Sequence, residues 1–300
     1  METVLITGAS GLVGSRLKPQ LEAAGYKVHT LGRSKSKEPG SFSWNPAKGR
    51  MDSKALEGVT AIIHLAGAGV ADKRWTSERK KEILDSRVQS TTVLYKYLQK
   101  DIHTVTTIIS ASAVGYYGDC GEEPVKEDHE PGNSFLAEVC KQWEEGVSQF
   151  EQLGIRAVKC RIGIVLAAEG GALPELARTL PVGIAGYFAK SNLYYPWIHI
   201  DDVCGILLHA LQNKTMSGAY NTTAPKPLLI KELMQHIVKA RNSSAILAPV
   251  PPFAIKLTLG EMSDMLLQSQ RCSADKIVKA GYRFRFADVD KALKDIYQNK

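Results

Sequence analysis

Val4-Leu5-Ile6-Thr7-Gly8-Ala9-Ser10-Gly11-Leu12-Val13-Gly14, followed by a helical run and then by Lys27-Val28-His29-Thr30-Leu31-Gly32-Arg33, is the stretch that decides the fold. A short apolar strand runs into a glycine-rich turn. The turn opens an amphipathic helix bearing Leu12, Val13, Leu17 and Leu21, and Gly25-Tyr26 closes it before a second strand. The spacing predicts one β-α-β unit of the kind that binds dinucleotides. Gly8 allows the tight turn off the strand, Gly11 lets the backbone approach a pyrophosphate, and Gly14 lets the helix lie close on the sheet. The free N–H groups and the dipole of the helix N-terminus favour the negative charge of that pyrophosphate. Gly8, Ser10, Gly11, Leu12 and Val13 are the expected cofactor contacts here.

The end of the second strand separates the two nicotinamide cofactors. A site for NAD usually places Asp or Glu there, bonded to the ribose 2′-hydroxyl. This chain has Gly32-Arg33-Ser34-Lys35-Ser36-Lys37, with no carboxylate before Glu38. An arginine grips a 2′-phosphate through charge-assisted, bidentate hydrogen bonds. The expectation is NADP(H), held at this end by Gly32, Arg33 and Ser34. A solvated basic loop is the plainer alternative.

Composition sets the bounds. Three hundred residues, 44% of them hydrophobic, can bury a sizeable core. The net charge of +7 is spread along predicted helices without a long run of Lys or Arg, which argues against nucleic acid and for an enzyme of phosphorylated small molecules. Cys120, Cys140, Cys160, Cys204 and Cys272 form no C-x-x-C and no paired metal spacing. They read as reduced thiols. No apolar run reaches transmembrane length, and the chain starts almost directly in a strand. The expectation is a cytoplasmic protein with no signal peptide, no metal and no membrane contact; a protein of an organelle matrix would look similar.

Further along, Thr60-Ala61-Ile62-Ile63-His64-Leu65-Ala66-Gly67 reads as a buried strand ending in small residues. Leu65, Ala66 and Gly67 would let adenosine and ribose approach the sheet edge closely. His64 reads as a packed strand histidine. Trp75 to Gln99 carries the longest helical pattern. On it Glu82 and Arg87 either reach the adenine side of the cofactor or form an exposed charged face. A β-rich run from Val105 leads into Ser110-Ala111-Ser112-Ala113-Val114-Gly115-Tyr116-Tyr117-Gly118, which places hydroxyl groups at the end of a strand. Ser53 is expected to cap a one-turn helix, Asn133 or Ser134 a helix through about Leu153, and Asp201 or Asp202 the helix from Val203 to Leu211. Beyond residue 165 the helix–strand alternation becomes irregular.

These landmarks together resemble the extended short-chain dehydrogenase/reductases, the NAD(P)-dependent epimerase/dehydratase group. The matching stretches are Thr7 to Gly14, His64 to Gly67, Ser110 to Gly118, Arg161 with Gly163, and Trp197-Ile198-His199-Ile200-Asp201-Asp202-Val203. Ser86-Arg87, Trp143-Glu144, Pro196-Trp197, Leu259-Gly260-Glu261-Met262, Ser269-Gln270-Arg271 and Gly281-Tyr282-Arg283-Phe284 resemble an atypical subgroup with a small C-terminal domain of unknown function. Some members of that subgroup are labelled cell-division inhibitors. The resemblance implies a Rossmann-type fold with bound NADP(H). It supplies no substrate.

One departure matters. The wider family transfers its proton with Ser or Thr and a Y-x-x-x-K pair, and no Y-x-x-x-K occurs in this chain. Ser112 fits the serine position. Placed by Trp143-Glu144, the tyrosine position falls near Leu136 and the lysine position near Cys140. Lys141 is one residue off, turned by about 100° on a helix, and remains a candidate for the ribose. Tyr116 and Tyr117, or His199, are the candidate replacement acids. Tyr194, Tyr195 and Trp197, with His199, form a substrate-side cluster; packing between lobes is the alternative.

The fold expected is α/β: a doubly wound parallel sheet of Rossmann type with a smaller, mostly helical substrate-side lobe. The core is expected over 1–165, with a return at about 197–223. The lobe is expected over 166–196 and 224–300, with 249–300 its subgroup-specific part. The function expected is hydride transfer to or from a carbonyl or carbinol substrate by an NADP(H)-dependent oxidoreductase or epimerase, a nucleotide-sugar being one such substrate. The rival is a catalytically weak NADP(H)-binding regulatory protein.

Overall fold

The computed structural model describes residues 2–34, 38–190 and 192–298. Thr3–Thr7 (β1) is buried at every position, as a parallel strand covered on both faces must be. The helix Leu12–Ala23 (α1) turns Gly14, Leu17 and Leu21 inward. It continues through Pro19, which is exposed. Lys27–Gly32 (β2), Ser41–Asn45 (β3), Arg50–Met51 (β4) and Val59–His64 (β5) follow. Ser77–Lys100 (α2) starts on Thr76, whose side chain accepts from Arg79 N. Thr107–Ala113 (β6), Phe135–Ser148 (α3), Arg156–Ile162 (β7), Ile200–Gln212 (α4) and Gly218–Thr222 (β8) complete the elements around the sheet.

The eight strands lie in the order β8-β7-β6-β5-β1-β2-β3-β4. β1 runs parallel to both β2 and β5, β2 is parallel to β3, and β5 to β6; β3 and β4 pair antiparallel. From β1 the chain builds outward through β2 and β3, then returns to the other side of β1 with β5. That reversal makes a switch point beyond the carboxyl ends of β1 and β5, where ligands of such sheets bind.

The chain divides into two compact units. One comprises Met1–Ser112, Glu138–Cys160 and Cys204–Ala219; the other comprises Ala113–Ala137, Arg161–Val203 and Tyr220–Lys300. The division differs from the boundaries drawn on the sequence, because 113–137 belongs with the second unit. Its Val114, Tyr117 and Val125 pack with Cys272. The main core of the second unit gathers Leu166, Tyr195, Trp197, Leu233, Ile237 and Leu293. All five cysteines are free thiols. Among the described residues no helix is long and apolar enough to cross a membrane.

Of three expected caps, two differ in detail. Asp52, not Ser53, accepts from Lys54 N. Ser134 caps α3 by accepting from Ala137 N. α4 already begins at Ile200, and the His199 ring Nδ1 accepts from Asp201 N. The Asp202 carboxylate instead accepts from Tyr282 Oη, Arg285 N and Phe286 N at 2.8–2.9 Å. It anchors the C-terminal segment within the second unit.

Candidate functional site

The glycine turn leaves β1 in a left-handed step at Gly8, φ 73°, which an L side chain resists. A Cβ there would also sit 2.9 Å from the Leu65 carbonyl. A Cβ on Gly14 would lie 2.3 Å from Gly8 O, so α1 approaches the turn as closely as glycine permits. Gly11 stands at the N-cap with no side-chain hydrogen bond, and the first turn of α1 holds no carboxylate. A helix start of this kind suits an anion. Ser10 and Gly11 are exposed, and Leu12 and Val13 half-buried.

The loop after β5 is fastened to the same turn by a polar chain. Thr7 Oγ1 accepts from both Leu65 N and Ala66 N at 3.2 Å. Its own proton therefore goes to His64 Nδ1, 2.7 Å away, and His64 Nε2 donates to Thr91 Oγ1 at 3.1 Å. His64 is fully buried; burial, aided by the charge of Arg87, pushes its pKa down to about 3. The ring is neutral and structural, as its strand position predicts. Arg87 donates to Ala68 O and Ile83 O and lies 5.0 Å over the Trp143 ring. A Cβ on Gly67 would meet the Arg87 Cζ at 3.0 Å. Arg87 therefore braces the Gly67 loop. Glu82 is exposed and paired with Arg79 at 2.6 Å.

At the end of β2, Arg33 and Ser34 are exposed and Gly32 half-buried. Arg33 borders a depression of about 470 Å³ together with Ser43, Asn45 and Arg50. Arg50 is a second cation there that the sequence reading did not single out. Lys35, Ser36 and Lys37 lie outside the described residues.

Ser112 sits at the carboxyl end of β6, 3% exposed, and donates to Glu144 Oε1 at 2.7 Å. Glu144 comes from α3 and is 8% exposed. Sequence reasoning used Trp143-Glu144 only as a landmark and missed this carboxylate. The available signal was its spacing, four residues beyond Cys140 and eight beyond Leu136. Cys140 is buried, while Lys141 is exposed in an outer groove with Thr91, Tyr95 and Glu145.

In the second unit the expected acids are differently employed. Tyr117 is buried; its hydroxyl donates to Asn221 Oδ1 at 2.6 Å and accepts from Arg161 at 2.9 Å. Burial pushes its pKa up, against the pull of Arg161. That corrects its reading as a proton exchanger: Tyr117 is a strut. The half-buried Tyr116 ring lies 3.5 Å beneath the Arg161 guanidinium. Tyr195 donates to Leu266 O and Trp197 to Lys226 O, and both rings are buried in the core. His199, also buried, stacks on Phe286 at 3.9 Å, with Nε2 3.5 Å from Asp295. The substrate-side reading of these three gives way to packing, because large flat side chains bury the most apolar area. Tyr194 is half-buried, with Arg271 5.4 Å from its ring.

Residues 4–222 match the NAD dependent epimerase/dehydratase family. The chain belongs to that family. Residues 250–296 match a C-terminal domain of unknown function, DUF1731. An epimerase family protein of Mycobacterium bovis is 34% identical over 291 residues, covering 97% of this chain and 96% of that protein. A chloroplastic family homologue of Arabidopsis thaliana is 33% identical, covering 99% of this chain and 87% of its own. Among solved structures, a human epimerase family protein with NADPH superposes with a TM-score of 0.88 at 27% identity, covering 99% of this chain and all of that one. A nucleoside-diphosphate sugar epimerase from Corynebacterium glutamicum gives 0.81 at 31% identity; it is longer, and this chain spans 59% of it. The chain contains no Y-x-x-x-K, the pair with which the wider family transfers its proton.

Proposed function

We propose that the protein is an NADP(H)-dependent oxidoreductase or epimerase-like enzyme that acts on a carbonyl or carbinol carbon. The observation that carries the reading is the start of α1. Its N-terminus has no side-chain cap and no carboxylate in its first turn, and Gly14, where a Cβ would clash with Gly8 O at 2.3 Å, lets α1 pack tightly on the turn; a helix start of this kind suits a pyrophosphate. The NADPH in the human relative's crystal structure supports the choice of cofactor. Arg33, with Arg50 across the same depression, would hold the 2′-phosphate. Gly8, Ser10, Gly11, Leu12 and Val13 would hold the pyrophosphate, and Leu65, Ala66 and Gly67 the adenosine side. When bound, the nicotinamide supplies the hydride or accepts it. Ser112 binds the reacting oxygen of the substrate. A nucleotide-linked sugar is the substrate class favoured by the Corynebacterium relative's description.

A second reading has one observation behind it. The buried Cys140 cannot serve as the missing lysine, which favours a protein that binds NADP(H) and signals its state. Nicotinamide fluorescence titrations test the cofactor claim shared by both readings. Wild type binds NADPH more tightly than NADH, and Arg33→Asp weakens NADPH by about 1.5–3 kcal/mol, roughly ten- to a hundredfold, with little change for NADH. Equal losses for both cofactors refute the assignment of Arg33.

A further inference from the structure

We propose that Glu144 is the proton reservoir of the site, acting through Ser112 in place of the tyrosine and lysine that α3 lacks. The proposal rests on the reading that Ser112 binds the reacting oxygen. Leu136, Cys140 and Glu144 follow one another at four-residue intervals on α3, so they share a helix face. Of the three, Glu144 alone carries a carboxyl group. Burying a carboxylate is costly unless a donor answers it, and Ser112 answers this one at 2.7 Å. An apolar pair would join β6 to α3 without that cost.

A serine hydroxyl has one proton and two lone pairs. With Glu144 ionised, that proton is committed to Oε1, and Ser112 presents only lone pairs to a ligand. It then accepts the O–H of a carbinol. With Glu144 protonated the bond reverses: the carboxyl donates to Ser112 Oγ, and the serine proton is available to a carbonyl oxygen. The protonation state of Glu144 thus matches the oxidation state of the substrate.

The balance closes. In reduction the carbonyl carbon gains a hydride from a dihydronicotinamide, the reductant, which is oxidised. The carbonyl oxygen takes the Ser112 proton, the Glu144 proton replaces it on Oγ, and Glu144 is left as carboxylate. Oxidation of a carbinol runs the same transfers backward. Glu144 touches the substrate only through Ser112 and is a positioning residue. At Trp143, the residue before Glu144, the His64 ring of β5 lies edge-on at 6.0 Å and the Arg87 guanidinium of α2 lies 5.0 Å over the ring, while Cys140 on α3 interacts electrostatically with Arg87. His64 is already neutral above pH 3, and arginine stays charged throughout. A Cys140→Ser control removes the thiol.

The experiment loads the full chain with NADPH and follows nicotinamide absorbance from pH 5 to 9. The probes are 9,10-phenanthrenequinone and UDP-4-keto-6-deoxyglucose. Glu144→Gln is expected to keep NADPH affinity and to slow discharge at least about thirtyfold. Glu144→Asp, which keeps the carboxyl group, restores most of the rate. A ¹³C-carboxyl NMR spectrum needs no turnover: the Glu144 signal, assigned by its loss in Glu144→Gln, shifts in Ser112→Ala. A wild-type rate in Glu144→Gln overturns the proposal alone, as does a Glu144 signal indifferent to Ser112→Ala. Wild type that binds no NADPH, or discharges to neither probe, overturns the functional reading and this proposal with it. If Glu144→Gln does not fold, the signal is assigned through Glu144→Asp and the Ser112→Ala comparison decides.

Discussion

At the scale of residues, the site depends on polar groups whose protons have fixed places. His64 is the clearest case. Thr7 uses both lone pairs on the Leu65 and Ala66 amides, so the ring must accept at Nδ1 and donate at Nε2. Protonating it would break the Thr7 bond in a fully buried setting. The folded-state pKa of about 3 lies below the ordinary 6.5, so between those values the unfolded chain binds a proton that the folded chain refuses. Stability is full above pH 6.5 and falls as pH drops, by up to about 1.4 kcal/mol per pH unit from this residue. Urea denaturation at pH 7, 6, 5 and 4 checks this. His64→Asn, less stable at neutral pH, should lose that part of the slope. An unchanged slope would show that the proton goes elsewhere.

At the scale of elements, the nucleotide half was legible because its signals are local. Gly8, Gly11 and Gly14 lie within one turn and its helix start, and Gly8 and Gly14 stand where a Cβ would clash. The 32-residue separation of Ser112 from Glu144 had no such signal. It takes β6 and α3 in place to bring a strand serine and a helix carboxylate together. Tyr117 and Trp197 misled for a related reason. A hydroxyl or an aromatic near a strand end has the same appearance in sequence whether it faces a ligand or a core. Only Asn221, Arg161 and the Lys226 carbonyl, far along the chain, reveal the latter. α1 contains a further local conflict, since Pro19 removes a backbone donor inside a helix. Pro19 is exposed. Pro19→Ala should therefore stabilise the chain by about 1–3 kcal/mol, read as a raised melting temperature. A lowered one would mean that Pro19 supports the packing of α1.

At the scale of the molecule, the two units contribute different things. The first holds the sheet's switch point, the glycine cradle, Arg33 and the Ser112–Glu144 pair. The second is built around an apolar core into which its C-terminal segment is bound by Asp202, so the region matching DUF1731 is an integral part of that unit. The epimerase family pattern survives in the parts that would bind a dinucleotide and departs in lacking the Y-x-x-x-K pair. The central claim is that a catalyst remains. Single-turnover discharge of NADPH-loaded protein, followed by nicotinamide absorbance against keto-sugars, simple carbonyls and quinones, tests it most directly. Discharge by one class, lost at least about a hundredfold in Ser112→Ala while NADPH affinity stays within about twofold, is the predicted result. Tight NADPH binding with no discharge by any class, or discharge that survives Ser112→Ala, would contradict it.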